Sequence, residues 1–253
     1  TSTPVALKLV RPQRRGGAKR TLAPTGRHAI ANVCPVLGSG MHGDLPYLVL
    51  RYIDGPSLAQ HIHERRDRSL PRRAAHDAML RQFEKLALAL HHLHARRITH
   101  RDVKPSNVML DREGEPWLID CGLADDAPND GNASVAGSLP YLAPELLDGT
   151  GKHGAVSDLY ALGITLFEAM TGQRPYCGNF GPQVLQEIWA KRRPKARQLE
   201  RSLPPELDVV FDRLLHQMPA RRYPDGAALA DDLRRVRERL PLATPRDPLH
   251  VRL

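Results

Sequence analysis

Aromatic side chains make up only 5% of this 253-residue chain, and its net charge of +9 is spread along arginine-rich stretches rather than gathered among rings. A nucleic-acid surface clusters its basic groups, so this composition argues against nucleic acid as a partner and for a solvated basic surface. Cysteine is scarce too. Cys34, Cys121 and Cys177 are odd in number and far apart, which argues against a disulfide framework or a zinc cluster and suits a reducing, cytoplasmic setting. No apolar run approaches the roughly 20 residues of a membrane span. The opening Thr-Ser-Thr-Pro has no initiator Met and is not a signal peptide, and a strand-like run begins already at Val5, so the expectation is a processed or truncated start. The length suits one large domain or two lobes around a sizeable core.

Val5-Ala6-Leu7-Lys8-Leu9-Val10 alternates in character over a short run and reads as a strand. A Gly-x-Gly-x-x-Gly string follows at Gly38, Gly40 and Gly43, between strand-like stretches at 31–37 and 46–50. A phosphate cradle of the dinucleotide-binding kind needs a helix next, so these glycines read as a hairpin turn. From 71 to 96, Ala75, Met79, Phe83, Leu86, Leu90 and Leu93 recur at spacings of three and four, which predicts one long amphipathic helix. His91, His92 and His94 near its end lack the i, i+4 pair that sets two metal ligands on one face, and they read as histidines favoured by the helix dipole. Further amphipathic helices are expected at 184–191, 206–216 and 225–240.

The densest signal is His100-Arg101-Asp102-Val103-Lys104-Pro105-Ser106-Asn107, followed by Leu118-Ile119-Asp120-Cys121-Gly122-Leu123-Ala124. A carboxylate, an ammonium and an amide within six positions, with a second carboxylate thirteen residues on, is a common way to build phosphoryl transfer. These stretches closely resemble the protein kinase family, bacterial-type Ser/Thr kinases most of all, and the resemblance covers nearly the whole chain. It implies an α+β bilobal fold: a reduced β-rich small lobe over 1–50, a hinge at 51–57, a mainly helical large lobe over 58–240, and a tail or linker at 241–253. It also implies ATP and Mg²⁺ as cofactors and a protein substrate.

By the same resemblance, Asp102 is the catalytic carboxylate, Lys104 neutralises charge on the moving phosphoryl group, and Asn107 and Asp120 are the metal ligands. Ala6, Leu50 and Met109 line the adenine pocket, Lys8 reaches the phosphates, and the backbone of Arg51 and Ile53 bonds adenine. Arg101 and Ser134 are implied as the regulatory cation and phosphoacceptor. Ser138, in Gly137-Ser138-Leu139-Pro140-Tyr141-Leu142-Ala143-Pro144-Glu145, belongs to the segment that meets the protein substrate. Glu145, Asp158 and Arg222 are structural, with Glu145 and Arg222 expected to form a buried pair.

The sequence also departs from the family. Only four residues precede the first strand, so the strand–Gly-rich loop–strand unit is not found here. The helix Glu that pairs with the strand Lys is not found either: the first acidic residue is Asp44, and Lys19 or Arg20 falls nearest the expected position. Cys121 stands where Phe is usual between Asp120 and Gly122, implying looser coupling between lobes and an inert buried thiol. These departures keep open an alternative, a pseudokinase acting as a scaffold or allosteric module. The sequence gives neither the substrate's identity nor the oligomeric state.

Overall fold

A computed structural model describes residues 3–10, 29–65, 72–121, 138–178, 181–190 and 193–243. Strands β1 (Val5–Leu9), β2 (Val36–His42) and β3 (Leu45–Arg51) form an antiparallel sheet in the order β1-β3-β2. In β1 the pleat turns Ala6 and Lys8 toward partial burial and leaves Val5, Leu7 and Leu9 exposed. The half-buried face of this strand is therefore its short and charged face. Ala6 lies opposite Leu50, and Lys8 opposite Leu48.

The hairpin between β2 and β3 is tighter than the sequence suggests. Its turn is Gly43-Asp44, with Gly43 at φ +57°, and Gly38 and Gly40 belong to β2 itself. Gly40 leaves room for the Tyr47 ring across the ladder, which a Cβ at that position would push aside. The expected strand at 31–37 begins only at Val36. Residues 32–34 instead lie along the second sheet: Leu118 N–H donates to Asn32 O (2.8 Å), Cys34 N–H to Leu118 O (2.8 Å), and Asn32 Nδ2 to Pro116 O (2.8 Å).

That second sheet is the hairpin of β4 (Val108–Leu110) and β5 (Pro116–Leu118), turned by Asp111, whose Oδ1 accepts the N–H groups of Glu113 and Glu115. The chain leaving β3 also ties onto it, since Leu110 N–H donates to Pro56 O at 2.9 Å. Gly55 permits this approach: a Cβ there would lie 1.9 Å from Leu110 O. The chain segments on either side of β2 and β3 are thus both tied to the second sheet.

Helix α1 (Leu58–Arg65) starts with a Ser-x-x-Gln capping box, Ser57 Oγ accepting from Gln60 N–H and Gln60 Oε1 accepting from Ser57 N–H. The long helix α2 (Arg72–Ala95) follows the predicted periodicity, with Met79, Phe83, Leu86, Leu90 and Leu93 all buried. After the short α3 (Pro144–Leu147), α4 (Ala155–Thr171) runs through the centre of the large lobe and is buried on every side from Ser157 to Phe167. Helices α5 (Gly181–Trp189), α6 (Ala196–Leu199), α7 (Glu206–Leu214) and α8 (Gly226–Glu238) complete the lobe, and α8 packs along α2. The three late helices therefore differ by one to three residues at most ends from the periodicity-based limits. One continuous core contains Phe83, Tyr160, Phe167, Phe211 and Tyr223. Burying each such ring contributes roughly 1.5–3 kcal/mol, which makes this lobe the rigid base of the site.

Candidate active site

The loop from His100 to Asn107 is held from below and from the side. Asp158, buried near the start of α4, accepts the backbone N–H groups of His100 and Arg101, both at 2.8 Å. Its Oδ2 also meets His94 Nε2 at 2.8 Å. His94 is therefore part of the support beneath this loop and not merely a histidine at a helix end. No spacing signal could reveal this, because its partner lies 64 residues away.

The His100 ring, fully buried, faces the carbonyl of Ile119 through Nε2 at 3.0 Å, while Nδ1 faces the N–H of Asp102 at 3.4 Å. A carbonyl can only accept and an amide N–H only donate, so these bonds fit the neutral Nε2–H ring. Burial above all pushes the His100 pKa below the ordinary value, against the pull of Asp158 and Asp102. Arg101 takes a left-handed backbone (φ +71°), and its Nε donates to Thr99 Oγ1 at 3.1 Å.

Asp102 stands at the centre of a closed set of donors. Ser138 Oγ donates to Oδ1 (2.8 Å), Asn107 Nδ2 donates to Oδ2 (2.7 Å), and Lys104 Nζ lies 2.8 Å from Oδ2. Lys104 Nζ also donates to Ser138 Oγ at 2.7 Å, which closes the ring. Burial alone would raise the carboxyl pKa, but the bonds from Lys104, Ser138 and Asn107 outweigh it and hold the group below the usual carboxylate range. The result is an ionised carboxylate beside an ammonium, both partly exposed.

Asn107 spends its amide nitrogen on Asp102 O (2.8 Å) and Oδ2, which leaves Oδ1 unspent as a ligand atom. Ile119 N–H donates to Asn107 O at 3.0 Å, so the next residue, Asp120, is fixed beside it. Magnesium takes hard oxygen ligands and few of them from protein, and this amide and carboxylate fit it. Among the described residues, no group of three or more His, Cys, Asp or Glu is placed to hold a metal ion. Asp120 Oδ1 forms an ion pair with Lys8 Nζ at 2.6 Å, a contact that sequence reasoning did not anticipate.

Around the expected adenine end, Ala6, Leu50 and Met109 are each partly buried and Ile53 is buried. Arg51 is tied on three sides. Its N–H donates to Pro35 O (3.1 Å), its carbonyl accepts the Cys34 thiol at 3.5 Å, and its guanidinium lies 4.4 Å above the Trp117 ring. Burial pushes the Cys34 thiol up to about 11, which keeps it protonated and able to donate. Cys121 is packed against the large-lobe core with its thiol pushed up to about 12, again chiefly by burial. Ser134 lies outside the described residues.

Beyond the loop, Glu145 and Arg222 meet in a two-pronged pair at 2.8 and 2.7 Å. The Arg222 side chain is 0% exposed, and its remaining donors reach His216 O, Gln217 O and, at 3.5 Å, Val156 O. This pair anchors the stretch that carries Ser138 to the floor of the large lobe.

The family comparison agrees with this geometry: the protein kinase domain matches residues 1–232. The chain belongs to the protein kinase family. Serine/threonine-protein kinase PknB of Mycolicibacterium smegmatis is 35% identical to this kinase domain over 204 residues, 78% of the chain and 31% of PknB. Serine/threonine-protein kinase PrkC of Bacillus subtilis is 29% identical over 206 residues, 80% of the chain and 31% of PrkC. The chain therefore spans about a third of the length of these relatives. Among solved structures, the Mycobacterium tuberculosis PknI kinase domain superposes with a TM-score of 0.64 at 27% identity, covering 84% of this chain and 75% of that one. The kinase fold here is α+β, a small sheet over a mostly helical lobe. Protein kinases in general use ATP and magnesium.

Proposed function

We propose that this chain transfers the γ-phosphoryl group of ATP to serine or threonine hydroxyls of a protein substrate. The observation that carries the reading is the ring of Asp102, Ser138, Lys104 and Asn107. Asp102 accepts the hydrogen bond of the incoming hydroxyl, orients its oxygen toward phosphorus, and can take up its proton. The substrate oxygen gains the bond to phosphorus as the bond to the departing ADP oxygen breaks. Lys104 stands beside this carboxylate to neutralise charge gathering on the transferred group. Ser138, bonded to both, marks where the protein substrate docks. Four such groups held in one hydrogen-bonded set support transfer over a silent scaffold.

Asn107 Oδ1 and Asp120 are the groups that would hold magnesium, which when bound screens the phosphate charge. Lys8 reaches the phosphates, Ala6, Leu50 and Met109 contact adenine, and its edge meets the backbone of Ile53 and of Arg51, whose carbonyl has a second lone pair beside the one that accepts the Cys34 thiol. Arg101 and Ser134 take the regulatory parts, while Glu145, Asp158 and Arg222 hold the loop and the substrate segment. Residues 1–50 act as the small lobe, 51–57 as hinge and 58–240 as the large lobe, with 241–253 as tail. ATP and a protein are the partners, and nucleic acid is not. No helix among the described residues is long and apolar enough to cross a membrane. A reducing, ATP-containing cytoplasm is the setting proposed for the reaction.

The test is labelled-phosphate transfer by the purified chain to peptides that differ only in offering Ser, Thr or Tyr. Transfer to Ser and Thr but not Tyr is expected, reduced roughly 10²–10⁴-fold in Asp102→Asn. Equal background from the wild type and the variant would retire the reading.

A further inference from the structure

The Lys8–Asp120 ion pair at 2.6 Å joins two side chains that serve different ligands in the proposed reaction. The ammonium is meant for phosphate oxygens, the carboxylate for a divalent cation. No acidic residue occurs in the first 43 positions, so within that stretch no carboxylate can hold Lys8 in place. Asp120 can, because the large lobe fixes it. Ile119 just before it is pinned on both sides, its N–H to Asn107 O and its carbonyl to the His100 ring, each at 3.0 Å. Asp120 itself takes a left-handed backbone, φ +65°, a conformation that Asp enters more readily than most side chains. Lys8 arrives from the other lobe, set by its place opposite Leu48 on β3.

We propose that Lys8 and Asp120 form a two-sided latch, in which Asp120 positions Lys8 and Lys8 keeps free divalent cations off Asp120 until a phosphate anion draws the ammonium away. The inference rests on the ATP-dependent reading of the site. An ammonium bonded to a carboxylate oxygen both occupies that oxygen and repels an approaching dication. Phosphate relieves this by giving the ammonium another partner, and the cation then finds the carboxylate released. Metal and phosphate therefore bind cooperatively through one shared pair, each strengthening the other equally. With side chains 34% and 26% exposed, the pair is solvent-reachable and able to exchange.

The experiment measures Mn²⁺ binding to the nucleotide-free chain by electron paramagnetic resonance, with Mn²⁺ as the only probe. Lys8→Met and Lys8→Gln are expected to bind Mn²⁺ roughly three- to tenfold more tightly than the wild type. Asp120→Asn is expected to bind it more weakly than any of them. Unchanged or weaker affinity in both Lys8 variants overturns the latch, and so does wild-type affinity in Asp120→Asn. No phosphate transfer enters this readout. A chain that transfers nothing yet gains Mn²⁺ affinity on losing Lys8 keeps the latch and loses the kinase activity, and the reverse result does the opposite.

Discussion

Replacing Glu145 with Ala leaves the Arg222 guanidinium buried without its counter-charge. Arg222 is 0% exposed in its side chain and Glu145 13%, so any water entering the space left by the carboxylate brings no counter-charge. Its other contacts are neutral: the carbonyls of His216, Gln217 and Val156, and the Tyr160 ring 4.6 Å away. Breaking a buried pair from one side costs roughly 3–5 kcal/mol, a large share of the roughly 5–15 kcal/mol that holds a domain folded. At about 2–4 °C per kcal/mol for a chain of this size, the melting temperature should fall by roughly 6–20 °C. Thermal unfolding followed by circular dichroism measures this directly. The double variant Glu145→Ala, Arg222→Met removes both charges and should recover much of the loss, because similarly sized apolar groups often replace a buried pair at little cost. A fall below about 2 °C for Glu145→Ala, or a double variant losing at least the sum of the two single ones, would show that the pair does not anchor this region.

Three further outcomes follow from the same geometry. Asp158→Ala strands the N–H groups of His100 and Arg101 and the His94 ring, so kcat should drop with a smaller change in the KM for ATP; steady-state kinetics and a melt of the variant check this. His100, with its pKa lowered by burial, should stay neutral below the range in which ordinary histidines, near 6.5, take up a proton. The unfolded chain binds that proton first, so this residue's contribution to stability is intact above about 6.5 and declines as pH falls toward the lowered folded value. Nitrogen NMR of the ring, set beside unfolding at several pH values, tests both statements, and a His100 ring that titrates near 6.5 contradicts them. Finally, a thiol with a pKa of about 12 is ionised to only roughly 10⁻⁴ at pH 8, so Cys121, and Cys34 at about 11, should react with a disulfide reagent far more slowly than exposed Cys177. One fast thiol of three is expected; three fast thiols would contradict the burial argument.

Much of the architecture was legible because it rests on local contrast between apolar and polar positions. The spacing of Met79, Phe83, Leu86, Leu90 and Leu93 marked α2 nearly to its ends, because one helix face meets the core throughout. The glycines near 40 marked a hairpin but misplaced its turn. Glycine marks tight backbone in general, and Gly40 makes room for the Tyr47 ring rather than for the bend. Residues 32–34 looked like an ordinary strand and instead run beside β5, a pairing fixed only when the two sheets come together. His94 with Asp158 and Lys8 with Asp120 were hidden for the same reason. Each joins groups far apart in the chain, and periodicity carries no information about which distant carboxylate a cation will meet. The loop from His100 to Asn107 stood out because its chemistry is packed into consecutive positions; the supports beneath it did not.

The most direct test of the account separates ATP binding from phosphate transfer in Asp102→Asn. The variant keeps the size of the side chain and its place beside Ser138, Lys104 and Asn107. ATP affinity, measured by calorimetry with magnesium present, should stay within about twofold of the wild type, while single-turnover transfer of the γ-phosphoryl group falls roughly 10²–10⁴-fold. Transfer by Asp102→Asn at the wild-type rate would contradict the account.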